Sequence, residues 1–428
     1  MRAKNARDGA CLRWLATFIL VFLLAVTTAG AQVPAGVPED VGLSAERLER
    51  IGEMIQRAID AKQISGAVTV VARRGRVAHF EARGLMNIEA NAPMRKDAIF
   101  PIASMTKPVT AVAILILVEE GKVRLSDPVS RFIPEFKDTK VAMPRSDAAG
   151  EEGDIYTVPA KREVTVHDLI THTSGLGSRG AAREATARIA PRDPTGTVAD
   201  WAAALGAAPL GFHPGTRWAY SALAGIDTLG RIVEVASGLT FDEFLRLRVF
   251  EPLGMKDTAF DVAEDKKQRV VTLYIRTPDG LELRQKLPEW LATTTLHGGA
   301  GGLWSTAEDY LQFAQMLVNG GELNGTRLLG SRTVELMASN HVGDLYEKAG
   351  RVGGGPGKGF GLTVDVVLDG VAARGDHRST GSFGWGGAFG TRYWVDPQED
   401  LTAVLMVQTP GGPLRVDFQN AVMQAIVD

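Results

Sequence analysis

The sequence predicts an α+β fold: an antiparallel sheet flanked by helices and interrupted by a mostly helical region. Three observations predict it. A strand-like pair, Ala67 to Ala72 and Val77 to Ala82, is joined by Arg73-Arg74-Gly75-Arg76, a hairpin signal. Strand pattern then fades between Ser104 and about Arg248, where helical runs and long polar connections take over, and it returns toward the C-terminus. The run Val109 to Val118 is apolar on every face, which marks a helix buried in the protein centre. Over 428 residues, with 45% hydrophobic and 23% charged, neither disorder nor an integral membrane protein is indicated.

Taken in order, residues 1–31 stand apart. Arg2, Lys4, Arg7 and Arg13 precede the apolar run Trp14 to Val26, and Ala29-Gly30-Ala31 fits cleavage before Gln32. This predicts a secretory signal and an exported product, periplasmic or secreted; the competing reading is a retained membrane anchor. After cleavage no stable membrane insertion is expected. The single cysteine, Cys11, lies inside this segment, so the mature chain is expected to hold no disulfide, thiolate metal site or cysteine nucleophile. Losing four positive charges and one negative moves the formal net charge from -3 to -6, which disfavours nucleic acid as a partner.

Ser44 is a credible N-cap for an amphipathic helix carrying Leu48, Ile51, Met54, Ile55 and Ile59. The hairpin follows. Next comes Phe100-Pro101-Ile102-Ala103-Ser104-Met105-Thr106-Lys107, leading into the buried helix, which Glu119-Glu120-Gly121 ends. Ser104 and Lys107 are three apart, so at a helix start the amine falls within reach of the hydroxyl. A serine needs such a base to become nucleophilic, and a lysine serves only when it is desolvated. S-x-x-K also arises by chance, and its weight here comes from the apolar helix behind it.

Lys137 to Glu163, rich in charge, Gly and Pro, reads as a surface loop. His167, Asp168 and His172 invite a metal or triad reading, but their spacing is poor for zinc on a helix and no third ligand is near; capping a helix end and positioning a neighbouring loop is the simpler role. Tyr220 ends a Pro/Gly-bearing loop just before a helix, as an aromatic plug or as a phenol facing the serine and relaying its proton. His297 to Leu303 is a glycine-rich bend before a helix that starts at Ser305-Thr306. Gly353 to Gly359 superficially suggests a phosphate loop and fails, because no Ser or Thr follows Lys358. Val270 to Ile275, Gly361 to Leu368, Ser379 to Gly384, Gly387 to Val395 and Leu401 to Gln408 read as strands, and Val416 to Val427 as a last helix. Gly384-Trp385-Gly386-Gly387-Ala388 can bring backbone close to a ligand, an amide there pairing with the Ser104 amide as an oxyanion hole.

Together, Ser104-Met105-Thr106-Lys107, His172-Thr173-Ser174-Gly175-Leu176, Pro214-Gly215 through Tyr220-Ser221, and Gly298 to Thr306 resemble the serine β-lactamase-related superfamily, over roughly residues 40–425. That superfamily includes class C β-lactamases, D-alanyl-D-alanine peptidases and, closest in these motifs, the family VIII carboxylesterases. The resemblance implies a β-lactamase/transpeptidase-like fold: 32–103 and 249–428 as two parts of an α/β domain, and 104–248 as a helical domain carrying the motifs. It implies that Ser104 is acylated, that Lys107 and Tyr220 share its proton, that backbone near Trp385, Gly386, Gly387 and Ala388 holds substrate and oxyanion, and that no metal or organic cofactor is needed. Two positions depart from the β-lactamase and peptidase pattern: Trp385 stands where Lys or His begins the third motif, as in many family VIII esterases, and Ala222 stands where Asn is common.

The expected activity is therefore hydrolysis of small neutral esters. The alternatives are a β-lactamase or D-alanyl-D-alanine carboxypeptidase acting on a β-lactam or peptidoglycan fragment, with Arg392 the candidate for the missing cation, and a catalytically silent binding or sensor protein. The sequence leaves the oligomeric state open.

Overall fold

A computed structural model describes residues 32–144, 155–177, 181–292, 295–349, 354–410 and 412–428. The expected leader, with Cys11, lies outside the described residues. Among the described residues no helix is long and apolar enough to cross a membrane.

The frame is one antiparallel sheet of eight strands: β1 (Gly66–Arg73), β2 (Arg76–Asn87), β3 (Ala92–Pro93), β4 (Lys358–Phe360), β5 (Asp365–Val367), β6 (Phe383–Gly386), β7 (Arg392–Asp396) and β8 (Leu401–Val407), in the order β4-β5-β6-β7-β8-β1-β2-β3. Strands from the two ends of the chain meet at its centre, where Ala67 to Arg73 pair with Val407 to Leu401. The β1–β2 turn is tight because Arg74 and Gly75 both adopt positive φ, 52° and 69°, as a two-residue hairpin of this kind requires.

β1 is buried along its whole length because helices cover both faces. Ala67 and Val71, with Leu405 and Trp394, pack against α1 (Ala45–Asp60) and the C-terminal helix α8 (Leu414–Met423) through Leu48, Ile51, Ile55, Phe418 and Val422. Ser44 caps α1, its hydroxyl accepting the Arg47 N–H. The alternate residues Val68, Val70, Val404 and Met406 face the main core, which α7 (Ala307–Val318) completes with Tyr310, Phe313 and Met316. Period-two burial on both faces is why these strands read as continuous apolar runs.

The interposed region holds α2 (Thr106–Glu119), α3 (Val166–Ile170), α4 (Ala181–Ile189), α5 (Val198–Gly206) and α6 (Ala224–Ser237). All of α2 from Thr106 to Leu117 is buried, as its all-round apolar sequence requires, and it packs against α6. α3 and α5 begin with reciprocal capping boxes, Thr165 with Asp168 and Thr197 with Asp200.

Several boundaries differ from the sequence reading. The expected loop 137–163 contains a hairpin, Lys140–Pro144 paired with Ile155–Pro159, docked where Val141 bridges Leu210. The expected strand 361–368 is a bend and a shorter strand, β5, because the chain turns at Thr363, whose φ is 67°. The strand expected at 270–275 is Tyr274–Thr277. Of the stretch 353–359 that superficially suggests a phosphate loop, Gly353 lies outside the described residues and Lys358 and Gly359 belong to β4.

Candidate active site

Ser104 sits at a strand-turn-helix junction. Phe100–Pro101 pairs with Trp304–Ser305, the Ile102 N–H donates to Leu303 O at 3.0 Å, and a single 3-10 turn, Ala103–Met105, then opens directly into α2. Ala103 adopts φ 47°, a left-handed conformation that costs a non-glycine residue on the order of 1–2 kcal/mol. The junction is held from several sides, Tyr310 Oη donating to Met105 O at 2.8 Å and the Leu303 N–H to Thr106 Oγ1 at 3.3 Å, so this backbone persists despite its cost.

Lys107, one turn on, is completely buried. Its ammonium donates to Ser104 Oγ at 3.2 Å, to Ala222 O at 2.8 Å and to Ala300 O at 2.6 Å. All three partners are uncharged oxygens. Ala222, which departs from the common Asn, thus contributes a main-chain carbonyl, a group its side chain does not alter. Tyr220 Oη lies 2.8 Å from the same Ser104 Oγ, and Lys107 Nζ is 5.1 Å from the centre of the Tyr220 ring. The structure therefore brings Ser104, Lys107 and Tyr220 together from two separate stretches of chain.

The third stretch forms the opposite wall. The Trp385 indole packs beside Tyr220, 5.7 Å between centroids, and edge-on to Phe360 at 5.4 Å. Its Nε1 is buried without a partner, so it offers a flat apolar surface and no accessible donor. A Cβ on Gly387 would come 2.3 Å from Ile102 O, so only glycine allows β6 to close against the Ser104 turn. The Gly387 N–H is committed to Thr391 O at 2.9 Å. The Ala388 amide, like the Ser104 amide, makes no backbone hydrogen bond among the described residues.

Charge near this wall comes from a residue the sequence did not single out. Arg415, at the start of α8, donates from Nε to Gly390 O at 3.1 Å and from Nη2 to Gly387 O, backing the turn that carries Ala388. Burial and the nearby Arg392 guanidinium bring its pKa down to about 10. Arg392, the cation expected to replace the missing lysine, is itself paired with Asp365 at 3.1 Å. No local pattern links Arg415 to the Trp385 motif in sequence; only the return of α8 across the sheet places it there.

His172, from the two-histidine motif, adopts φ 59° and is buried against Trp218, Tyr220 and Phe360, with Nδ1 accepting the Ser221 N–H at 3.3 Å. Burial, reinforced by the Lys107 charge, holds its pKa well below the ordinary value, so it is neutral. His167 instead meets His341 at 3.2 Å, and Asp168 caps α3 while pairing with Arg162. Among the described residues no group of three His, Cys, Asp or Glu is placed to hold a metal ion. A cavity of about 500 Å³ opens beside Tyr220, lined among others by Arg183, Arg192, Trp201, Leu223 and Glu289.

The beta-lactamase family profile matches residues 51–427. Protein Rv1367c of Mycobacterium tuberculosis is 38% identical over 361 residues, 83% of this chain and 88% of the relative. Esterase EstB of Burkholderia gladioli is 32% identical over 425 residues, 92% of this chain and 99% of the relative. The solved structure of EstCE1, described as a hydrolase with promiscuous acyltransferase activity, superposes with a TM-score of 0.74 at 26% identity, covering 88% of this chain and 99% of that one. The chain belongs to the beta-lactamase family, as a serine hydrolase with the β-lactamase/transpeptidase-like fold and a motif set resembling the family VIII carboxylesterases.

Proposed function

We propose that this protein hydrolyses small neutral esters through an acyl-enzyme on Ser104. The observation that carries the reading is the convergence of Lys107 Nζ and Tyr220 Oη on one serine oxygen, 3.2 and 2.8 Å away. With the Lys107/Tyr220 pair one proton short of full protonation, Ser104 Oγ attacks the ester carbonyl, its proton fills that vacancy, and the tetrahedral oxyanion forms toward the Ser104 and Ala388 amides. Collapse breaks the C–O bond, and the alcohol leaves with the proton held by the pair. Water then attacks the acyl group, gives its proton to the same pair, and the acid departs as the serine is reprotonated. The flat, donor-free face of Trp385 favours a neutral substrate, since a carboxylate pressed against it loses hydration without gaining a partner. That relatives include an esterase supports the same chemistry.

A fluorophosphonate probe followed by peptide mass spectrometry should label Ser104, and Ser104→Ala should abolish both label and turnover. Label on another residue, or turnover surviving in Ser104→Ala, removes the mechanism. The basic, apolar and small-residue order of Arg2 to Ala31 supports export, which N-terminal analysis of protein from its native host tests: a mature chain should begin at Gln32.

Action on β-lactams or peptidoglycan fragments is the second reading, and Arg415 is what favours it. Two of its nitrogens serve Gly387 and Gly390, which leaves the guanidinium charge beside the Trp385 motif to attract a carboxylate.

A further inference from the structure

Two hydrogen bonds from Lys107, through Ala300, lies a buried carboxylate that the scheme above does not use. We propose that Asp227 is a positioning residue for Lys107, acting through the main chain of Ala300. The inference rests on the reading of Lys107 as part of the serine's proton-transfer pair.

Asp227 lies in the first turn of α6 and is 1% exposed. Its Oδ1 accepts the Ala300 N–H at 2.8 Å, and the carbonyl of the same Ala300 accepts Lys107 Nζ at 2.6 Å, the shortest of the ammonium's three bonds. One residue thus carries the link from carboxylate to amine. The bend that holds Ala300 is pressed onto α6 more closely than side chains allow: a Cβ on Gly298 would lie 2.5 Å from Asp227 Oδ1, and one on Gly299 would lie 2.8 Å from Ile226 O. From the other side, α2 grips the same bend, Thr110 Oγ1 donating to Gly299 O at 2.7 Å. Asp227 Oδ1 is the side-chain acceptor that fixes which way the Ala300 peptide faces, and with it the direction from which Lys107 is held.

The second carboxylate oxygen has no hydrogen bond, and its nearest cation is Arg192 Nη2 at 3.6 Å. Burial raises the Asp227 pKa, opposed by Arg192, by the Ala300 N–H and by Lys107. What the Ala300 amide requires is an oxygen at the Oδ1 position, charged or not. An asparagine supplies one; an alanine does not.

Steady-state kinetics with p-nitrophenyl acetate tests this on the full-length enzyme. Asp227→Ala should lower kcat by about ten- to a hundredfold, the loss expected when a buried donor is left unpaired, with KM within about twofold. Asp227→Asn should recover most of kcat. In a Lys107→Ala background, Asp227→Ala should reduce the residual turnover and the fluorophosphonate labelling rate no further, since the two substitutions remove the same function. Should Asp227→Ala not fold, Asp227→Ser, too short to reach the amide, takes its place in the same comparison. Full activity in Asp227→Ala, or independent losses in the double variant, overturns the inference while leaving the Lys107 reading intact. Wild-type turnover in Lys107→Ala overturns both.

Discussion

The imidazole of His172 stands edge-on to the ring of Tyr220, 4.8 Å between centroids, while its Nδ1 accepts the N–H of Ser221, the next residue. One buried side chain therefore braces both the ring and the backbone that aim the phenol at Ser104. Because the ring is neutral, its contribution is shape and one acceptor, not charge. His172→Leu keeps an apolar filling but strands the Ser221 donor. It should slow acylation by about tenfold, as an unpaired buried donor costs about 1–3 kcal/mol. Pre-steady-state release of p-nitrophenol measures this; an unchanged burst rate would show that Tyr220 is held without His172.

Lys107 and Tyr220 meet on one oxygen, so they should behave as one unit. Removing members of such a unit is strongly non-additive. Lys107→Ala/Tyr220→Phe should be hardly worse in kcat/KM than the poorer single variant. Multiplicative losses would mean that the two act separately.

On the proposed reading, the Trp385 wall and the Arg415 guanidinium compete to set the preferred substrate charge. Short-chain p-nitrophenyl esters should have a far higher kcat/KM than carboxylate-bearing cephalosporins. Trp385→Lys should narrow the gap by roughly one to two orders of magnitude, since a charge-assisted bond contributes about 1.5–3 kcal/mol. Arg415→Met tests the other arm: if cephalosporins are the better substrates of the unchanged enzyme and lose their advantage in Arg415→Met, the β-lactam reading replaces the esterase one.

Stability carries its own pH signature at Asp309, the buried carboxyl that accepts the Asp257 N–H at 2.7 Å and the Thr258 hydroxyl at 2.8 Å. Burial outweighs these bonds and raises its pKa to about 7, against about 3.9 in an unfolded chain. The folded state then keeps a proton that the unfolded chain releases. The contribution is complete below about pH 4 and is lost as pH rises toward 7, at up to about 1.4 kcal/mol per pH unit. Asp309→Asn cannot titrate and should flatten that slope in urea unfolding between pH 4.5 and 7.5. An identical slope in the variant would assign the dependence to other groups.

How much of this could be read from sequence follows from how local each feature is. Ser104 and Lys107 lie three residues apart at a helix start, and the buried helix behind them is apolar on every side, so both were legible. So was the turn at Arg74-Gly75, where Gly75 takes a positive φ at no steric cost. The 140–159 hairpin was hidden because its short apolar runs are split by the charge- and glycine-rich residues 145–154, which read as loop. The bend at Thr363 was hidden because a β-branched residue with positive φ is the opposite of what its type suggests. The bonds linking Asp227 to Ala300 and Arg415 to Gly387 join residues 73 and 28 positions apart, and no periodicity announces a contact of that kind. The enclosure of the Trp385 indole N–H likewise depends on neighbours remote in sequence.

Two of the three oxygens that hold the Lys107 ammonium belong to peptide groups, those of Ala222 and Ala300. A peptide carbonyl is specified by no codon in particular. Most single-base changes at either position leave the oxygen in place, whereas the facing wall, built on the side chains of Trp385 and Arg415, changes with every missense substitution. Heritable variation in this molecule is therefore channelled: drift at the anchoring positions is largely silent toward the amine, while selection on the wall can retune which molecules enter. A lineage built on this site can acquire new substrates without first rebuilding the means of attacking them.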